Sequence, residues 1–235
     1  MAPHEDLNDL RRWSATLAGI AQTGLAFTKS LFEIERFEEV LHVAADIEAA
    51  AALREGRVDA PEPEERVVEW LGELRPGIEG YATPKVAVAA LVGDDAGRLL
   101  LIQRQDSGAW LYPTGWADVG YSAAELVVKE VREETGIDVE PVRIAMVLDG
   151  IRVTLSRIPL YSIVFHCRAI GGELRHHPLE CLDAGFFTKD QLPEPLAIRG
   201  VWADHAFRII SGEETAVYFD WPRSPAWRGE APGSS

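Results

Sequence analysis

An α/β fold behind a small all-α segment is predicted for this chain by three observations. Residues 6–54 are rich in Ala, Leu and Glu and carry apolar residues at helical spacing. From Pro84 onward, short apolar runs alternate with turn residues, as strands do. One strongly marked helix, beginning after Ser122, interrupts those runs. The order of strands and helices suits an α/β/α sandwich around a mixed sheet. At 235 residues and 47% hydrophobic content, the chain can bury a sizeable core as one domain plus an appendage, or as two small domains.

The opening segment places Leu7, Leu10, Trp13, Leu17, Ile20 and Ala21, then Phe32, Phe37, Leu41 and Ala45, at helical intervals, which predicts two helices broken near residues 24–30. The Pro- and Glu-rich stretch RVDAPEPEE reads as a linker, followed by a short helix over 66–74 and a turn at Pro76 and Gly77. So small a helical unit is marginal alone, so it either packs on its neighbour or serves as a dimerisation or substrate-gating element. Its apolar stripes exceed what three short helices can bury among themselves, so a homodimer is expected. Residues 85–92 and 98–104 are apolar runs joined by Gly-Asp-Asp-Ala-Gly, a hairpin. Further strands are expected over 142–148, 160–169 and 184–187, then a closing helix over 200–211 with Val201, Trp202, Ala206 and Ile209 or Ile210 toward the core. The predicted division is a helical domain over 1–80, an α/β domain over 81–212 and a partly docked or disordered tail over 213–235.

The most informative run is GWADVGYSAAELVVKEVREETGI, residues 115–137. Ser122 with Glu125 reads as a capping box and Gly136 as a C-cap, so both helix ends are marked. Ala124, Val127, Val128, Val131 and Thr135 form the face to bury, which leaves Glu130 and Glu134 stacked at i,i+4 with Glu133 beside them. Like charges at that spacing cost roughly 0.2–0.5 kcal/mol per pair unless a cation neutralises them. A hard divalent cation with oxygen ligands is the natural partner.

Composition bounds the partners. A formal net charge of −15 disfavours polymeric nucleic acid, whose binding depends on basic residues that release counterions. A small anionic substrate stays open because a bound cation reverses the sign locally. No apolar run approaches the roughly 18 residues needed to span a bilayer, and MAPHEDLNDLRRW is not a secretion signal, so a cytoplasmic protein with no membrane partner is expected. The two cysteines, Cys167 and Cys181, fit no common zinc spacing and read as reduced thiols.

The run at 115–137 resembles the Nudix box: G, five residues, E, seven residues, R-E, an aliphatic residue, any residue, E-E, any residue, G and an aliphatic residue. Gly115, Glu130, Val131, Glu133, Glu134, Gly136 and Ile137 match in register, whereas Tyr121 replaces the first Glu and Lys129 the Arg. In that family the two replaced positions mainly support the loop and helix; Lys129 keeps the charge but loses the planar guanidinium fork. With GYATPKVAVAALV, GRLLLIQR, GGELRHHPLECLDAGFF and LPEPLAIRG, the chain resembles a branch of Nudix hydrolases with an N-terminal helical domain, which includes bacterial CDP-choline and ADP-ribose pyrophosphatases. The resemblance implies the α/β/α sandwich and metal-dependent hydrolysis of a nucleoside diphosphate linked to a second group.

It also implies roles. Glu130, Glu133 and Glu134 would hold magnesium, with manganese as the alternative. Glu180, six positions before Phe186, would be a further ligand or the general base; the catalytic set is then Glu133, Glu134 and Glu180. His176 and His177 read as loop residues, since carboxylates suit magnesium or manganese better than zinc. Substrate contacts are expected from Arg104 and Lys85 on the diphosphate, from Gly115, and from Trp116 or Tyr112 among the aromatic residues flanking the box, which also include Trp110 and Tyr121. The competing readings are a nucleotide-sensing module without turnover, disfavoured by the intact glutamates, and a hydrolase of nucleoside triphosphates or RNA ends.

Overall fold

The expected break between the first two helices falls where a capping side chain is available. In the computed structural model, which describes residues 3–57, 60–118, 120–151, 158–200 and 202–221, α1 (Pro3–Phe27) runs through Gly24 and α2 (Leu31–Arg54) starts at a Ser30 N-cap, whose hydroxyl accepts the Glu33 N–H. Gly24 does not end the helix. It lets α2 approach, because a Cβ there would overlap the Phe37 ring. Ser14 Oγ donates to the Ala44 carbonyl at 2.7 Å and ties the pair together. Val67 and Trp70 of α3 (Pro63–Gly72) complete a cluster with Ala18, Ala21, Leu41, Ala44 and Ala45. Arg66 stacks 4.8 Å from the Trp70 ring while bonding Glu48 and Glu69.

A mixed eight-stranded sheet follows, assembled from β1 (Lys85–Gly93), β2 (Leu99–Arg104), β3 (Trp110–Leu111), β4 (Thr114–Trp116), β5 (Ile137–Asp149), β6 (Leu160–Gly172), β7 (Cys181–Phe187) and β8 (Tyr218–Phe219). Its path is β3-β2-β1-β6-β5-β8, with β4 on β1 and β7 on β2. β1 and β6 are parallel, and β1 is buried on both faces, which explains its unbroken apolar run. Val88, Ala90 and Val92 face α4 (Ala123–Thr135), packing with Leu126, Val127 and Val131. Ala89 and Leu91 point the other way, toward Trp202, Ala206 and Ile209 of the segment around α5 (Ala203–Ile210). These are the two helical layers of the expected sandwich.

Several details differ from expectation. β5 begins directly after Gly136 rather than near 142, because Pro141 sits where the β5–β6 register shifts, a position that tolerates a missing N–H. β3, β4 and β8 are strands of two or three residues, too short to leave a periodic signal. On α4 the buried face is turned slightly: Leu126 is in the core and Ala124 is exposed. Val201, expected in the core, lies outside the described residues. The tail is docked as far as described, since β8 pairs with β5 in parallel and the Asp149 N–H donates to Asp220 at 2.7 Å. Among the described residues no helix is long and apolar enough to cross a membrane.

Candidate active site

α4 carries the expected carboxylates, and three neighbouring segments determine what each can do. The capping box at Ser122 and Glu125 is present, and Gly136 ends the helix with φ 71°, a left-handed conformation that suits glycine. Gly115 of β4 crosses the helix so closely that a Cβ would overlap the Glu130 carboxylate. One residue earlier, the Thr114 N–H donates to Glu134 Oε2 at 3.1 Å. That strand therefore roofs the helix, and Glu134 is only 5% exposed.

The loop before β7 closes the other side. The Arg175 N–H donates to the Thr135 carbonyl at 2.9 Å and the His177 N–H to the Glu134 carbonyl at 3.0 Å, which satisfies terminal carbonyls of α4. The strapped loop then delivers Glu180, whose carbonyl accepts the Gln105 N–H at 3.0 Å. His177 Nδ1 is buried without a hydrogen bond and stands 3.9 Å from Glu180 Oε2.

Electrostatics register the convergence. Burial, opposed by the Thr114 N–H and assisted by the negative charges of Glu130 and Glu180, pushes the Glu134 carboxyl up to about 8. Glu130 is also raised, first by burial, with Lys129 opposing and Glu133, Asp118 and Glu180 adding repulsion. Arg104 is one of the charges that restrain Glu134 and is itself forked onto Asp106 at 3.0 and 2.6 Å. Burial pushes the neighbouring Cys181 thiol up to about 12, so it behaves as an inert structural group, and Cys167 is likewise a buried free thiol.

The structure thus gathers Glu130, Glu134, Glu180, Gly115 and Arg104, with Glu133 more exposed on the outer side of α4. Trp116 is 49% exposed next to Gly115 and is free to meet a ligand. Tyr112 requires a correction. It is fully buried on the α5 face of the sheet, T-shaped against Trp202 at 5.1 Å, so it cannot stack on a base beside the box helix. Lys85 stands at the start of β1 in an ion pair with Glu73 at 3.6 Å, lining a cleft of about 1020 Å³ between the helical segment and the sheet. Sequence reasoning passed over Thr114, because a backbone N–H leaves no trace in residue identity, and Asp118, an unremarkable loop acid in sequence.

The donor set is all carboxylate oxygen, and Glu130 and Glu134 stay raised despite Lys129 and Arg104, which fits a hard divalent cation. Among the described residues, however, no three His, Cys, Asp or Glu side chains are drawn into metal-holding positions.

A model of the NUDIX domain matches residues 83–206, more than half of the chain and all of the site just described. The chain belongs to the Nudix family. A second model, described as a UDP-X-like N-terminal oligomerisation domain, matches residues 8–56. The chain is 34% identical over 179 residues to a putative ADP-ribose pyrophosphatase, YjhB, of Bacillus subtilis, covering 75% of this chain and 79% of that one. It is 33% identical over 120 residues to an ADP-ribose pyrophosphatase of Methanocaldococcus jannaschii, covering 48% and 68%. Among solved structures, a UDP-X diphosphatase superposes with a TM-score of 0.52 at 28% identity, covering 91% of this chain and 99% of that one. The protein is therefore a Nudix hydrolase with an N-terminal helical region, and Nudix hydrolases generally act with divalent metal ions.

Proposed function

We propose that this Nudix hydrolase cleaves the diphosphate linkage of a nucleoside diphosphate joined to a second group, giving a nucleoside monophosphate and a phosphorylated fragment. The observation that carries the reading is the packing of Glu130 and Glu134 beneath the strand of Thr114 and Gly115, with Glu134 buried and pushed up to about 8 and the Glu180 charge near enough to act on both. The relatives named for ADP-ribose and UDP-X support the substrate class, and CDP-choline belongs to the same class. We assign residues 1–80 to a helical domain, 81–212 to the hydrolase domain and 213–235 to a tail.

Glu130 and Glu134, with Glu133 and Glu180, would hold magnesium, with manganese as the alternative. When bound, the cation supplies charge neutralisation on phosphoryl oxygens. The chain's own groups do the rest. Glu180, or Glu133 from the outer side, accepts the proton of the attacking water. Arg104, forked onto Asp106 and near enough to Glu134 to feel its charge, contacts a phosphate, and Trp116 offers its exposed face to the base. Lys85 lines, with Tyr81 and Tyr161, a cleft whose lining includes none of the box glutamates, and there the helical domain gates access. A cytoplasmic homodimer completes the proposal, with α1 and α2 as its interface.

A panel of CDP-choline, ADP-ribose, a UDP-sugar and nucleoside triphosphates, assayed with magnesium for released phosphate esters, tests this reading. Turnover of at least one diphosphate-linked substrate with nucleoside monophosphate as product is expected. Turnover of triphosphates alone would replace the substrate class, and tight binding without product would favour a sensing module.

A further inference from the structure

The two departures from the Nudix box meet in space. Lys129 Nζ lies 5.8 Å from the centre of the Tyr121 ring. The same ammonium is 3.1 Å from Asp118 Oδ2, 3.2 Å from Glu133 Oε2 and 3.7 Å from Glu130 Oε1. It is therefore shared between a loop carboxylate and two carboxylates of the box helix. Where the box pattern has a glutamate at 121 to face an arginine at 129, this chain supplies its loop carboxylate three residues earlier, at Asp118, and covers the ammonium with an aromatic ring. The exchange has a chemical consequence. A guanidinium fork holds one planar geometry, whereas an ammonium is a compact charge that can move among several acceptors.

We propose that Asp118 and Tyr121 are positioning residues that vie with the metal carboxylates for the Lys129 ammonium, so that Lys129 acts as a tethered competitor of the divalent cation and Asp118 as its release point. This rests on the reading of Glu130 and Glu133 as cation ligands. A cation and the Lys129 ammonium seek the same Glu133 and Glu130 oxygens. With a cation in place, mutual repulsion moves the ammonium off Glu133 and Glu130 and leaves it to Asp118 and the Tyr121 ring. Without one, the ammonium is shared among Asp118, Glu133 and Glu130, and the acidic helix face keeps a counter-charge.

The model separates two substitutions by sign. Lys129→Met removes the competitor and should tighten binding of Mn²⁺ alone, measured by calorimetry and by the manganese resonance signal. Asp118→Asn leaves the ammonium no other carboxylate than those of the site and should weaken it. Each shift should be about two- to fivefold, the scale of an exposed ion pair. Lys129→Met combined with Asp118→Asn should bind like Lys129→Met, Tyr121→Phe like the parent, and Tyr121→Ala in the weakened direction. A thermal melt accompanies every variant. If both single substitutions weaken Mn²⁺ binding and lower the melting temperature together, the trio is only a structural brace and the proposal fails. If both leave binding unchanged, it fails as well. A parent protein that binds no Mn²⁺ overturns the metal reading itself, and with it the competition by Lys129, which distinguishes that failure from the other two.

Discussion

The sheet and the helical segment treat apolar surface in opposite ways. β1 is covered on both sides, by α4 and by the α5 segment, and Val88 to Val92 are fully buried. α1 buries one stripe, Ala18 and Ala21, against α2, yet Trp13, Ile20 and Phe27 remain 42%, 57% and 52% exposed. Those three residues recur every seven positions along a 25-residue helix, so they form one continuous seam. The hydrolase domain closes its core within one chain, whereas the helical segment presents a second face that one chain leaves open. Helical periodicity in a sequence reports that a face is apolar, not whether its cover comes from the same chain.

The largest expected effect tests the self-contained half. Glu134→Gln should reduce turnover by about 10²-fold or more, because transition-state charge loses a carboxylate-held partner. The fold should survive, since the amide keeps the shape of a buried carboxyl that holds its proton below about 8; a melt beside the kinetics checks both parts. Parental turnover in that variant would make the buried glutamate a purely structural group.

Next in size is the open half. Trp13→Glu with Ile20→Glu should dissociate the assembly by at least about thirtyfold in Kd, as expected when an aromatic anchor is lost and charge is set into an apolar seam. Light scattering at micromolar concentration reads the result. A parental chain that is already monomeric there would remove the contrast between the two regions.

An effect of another kind, on stability rather than on turnover or assembly, comes from pH. The Glu134 carboxyl titrates near 8 when folded but near 4.5 in its ordinary state, so the folded form keeps a proton that the unfolded form has lost. Stability of the metal-free protein should therefore decline as pH rises from about 4.5 to about 8 and level off above, by on the order of a few kcal/mol at most. Melting curves of parent and Glu134→Gln across that window isolate the contribution, because the variant lacks only this titration. Added magnesium should flatten the parental curve. A parent and variant that share one slope would contradict the assignment.

Smallest is the outer surface. Trp116→Ala should raise KM by about five- to tenfold with kcat little changed, as loss of stacking removes binding common to ground and transition states. An unchanged KM for both CDP-choline and ADP-ribose would take Trp116 out of the site.

The box helix was legible in sequence because its caps and its apolar spacing are local properties, and both ends lie where Ser122 and Gly136 place them. The α/β class was legible for the same reason, through runs such as residues 85–92. The surroundings of the carboxylates were not. The burial of Glu134 depends on a three-residue strand crossing α4, and periodicity has no view of what crosses a helix. Tyr112 was misplaced because the face it occupies is set by how β3 joins β2, a long-range pairing. The offset of Glu180 from Phe186 was readable, but the backbone bonds that bring its loop onto α4 were not.

The docking of β8 on β5 bears on handling the protein. β5 has 13 residues, and on the side away from β6 it pairs, among the described residues, with only the two residues of β8. Arg143 reinforces that contact by donating to the Glu214 carbonyl, and Asp220 by accepting from the Asp149 N–H. A chain cut after Gly212 would lose all three attachments and leave a long row of unpaired backbone donors and acceptors facing solvent. Such a row recruits strands from other molecules. The two-residue strand thus covers the middle of the β5 edge at Met146 and Val147, and shortened versions of this protein should self-associate through the sheet more readily than the parent while keeping their active-site glutamates.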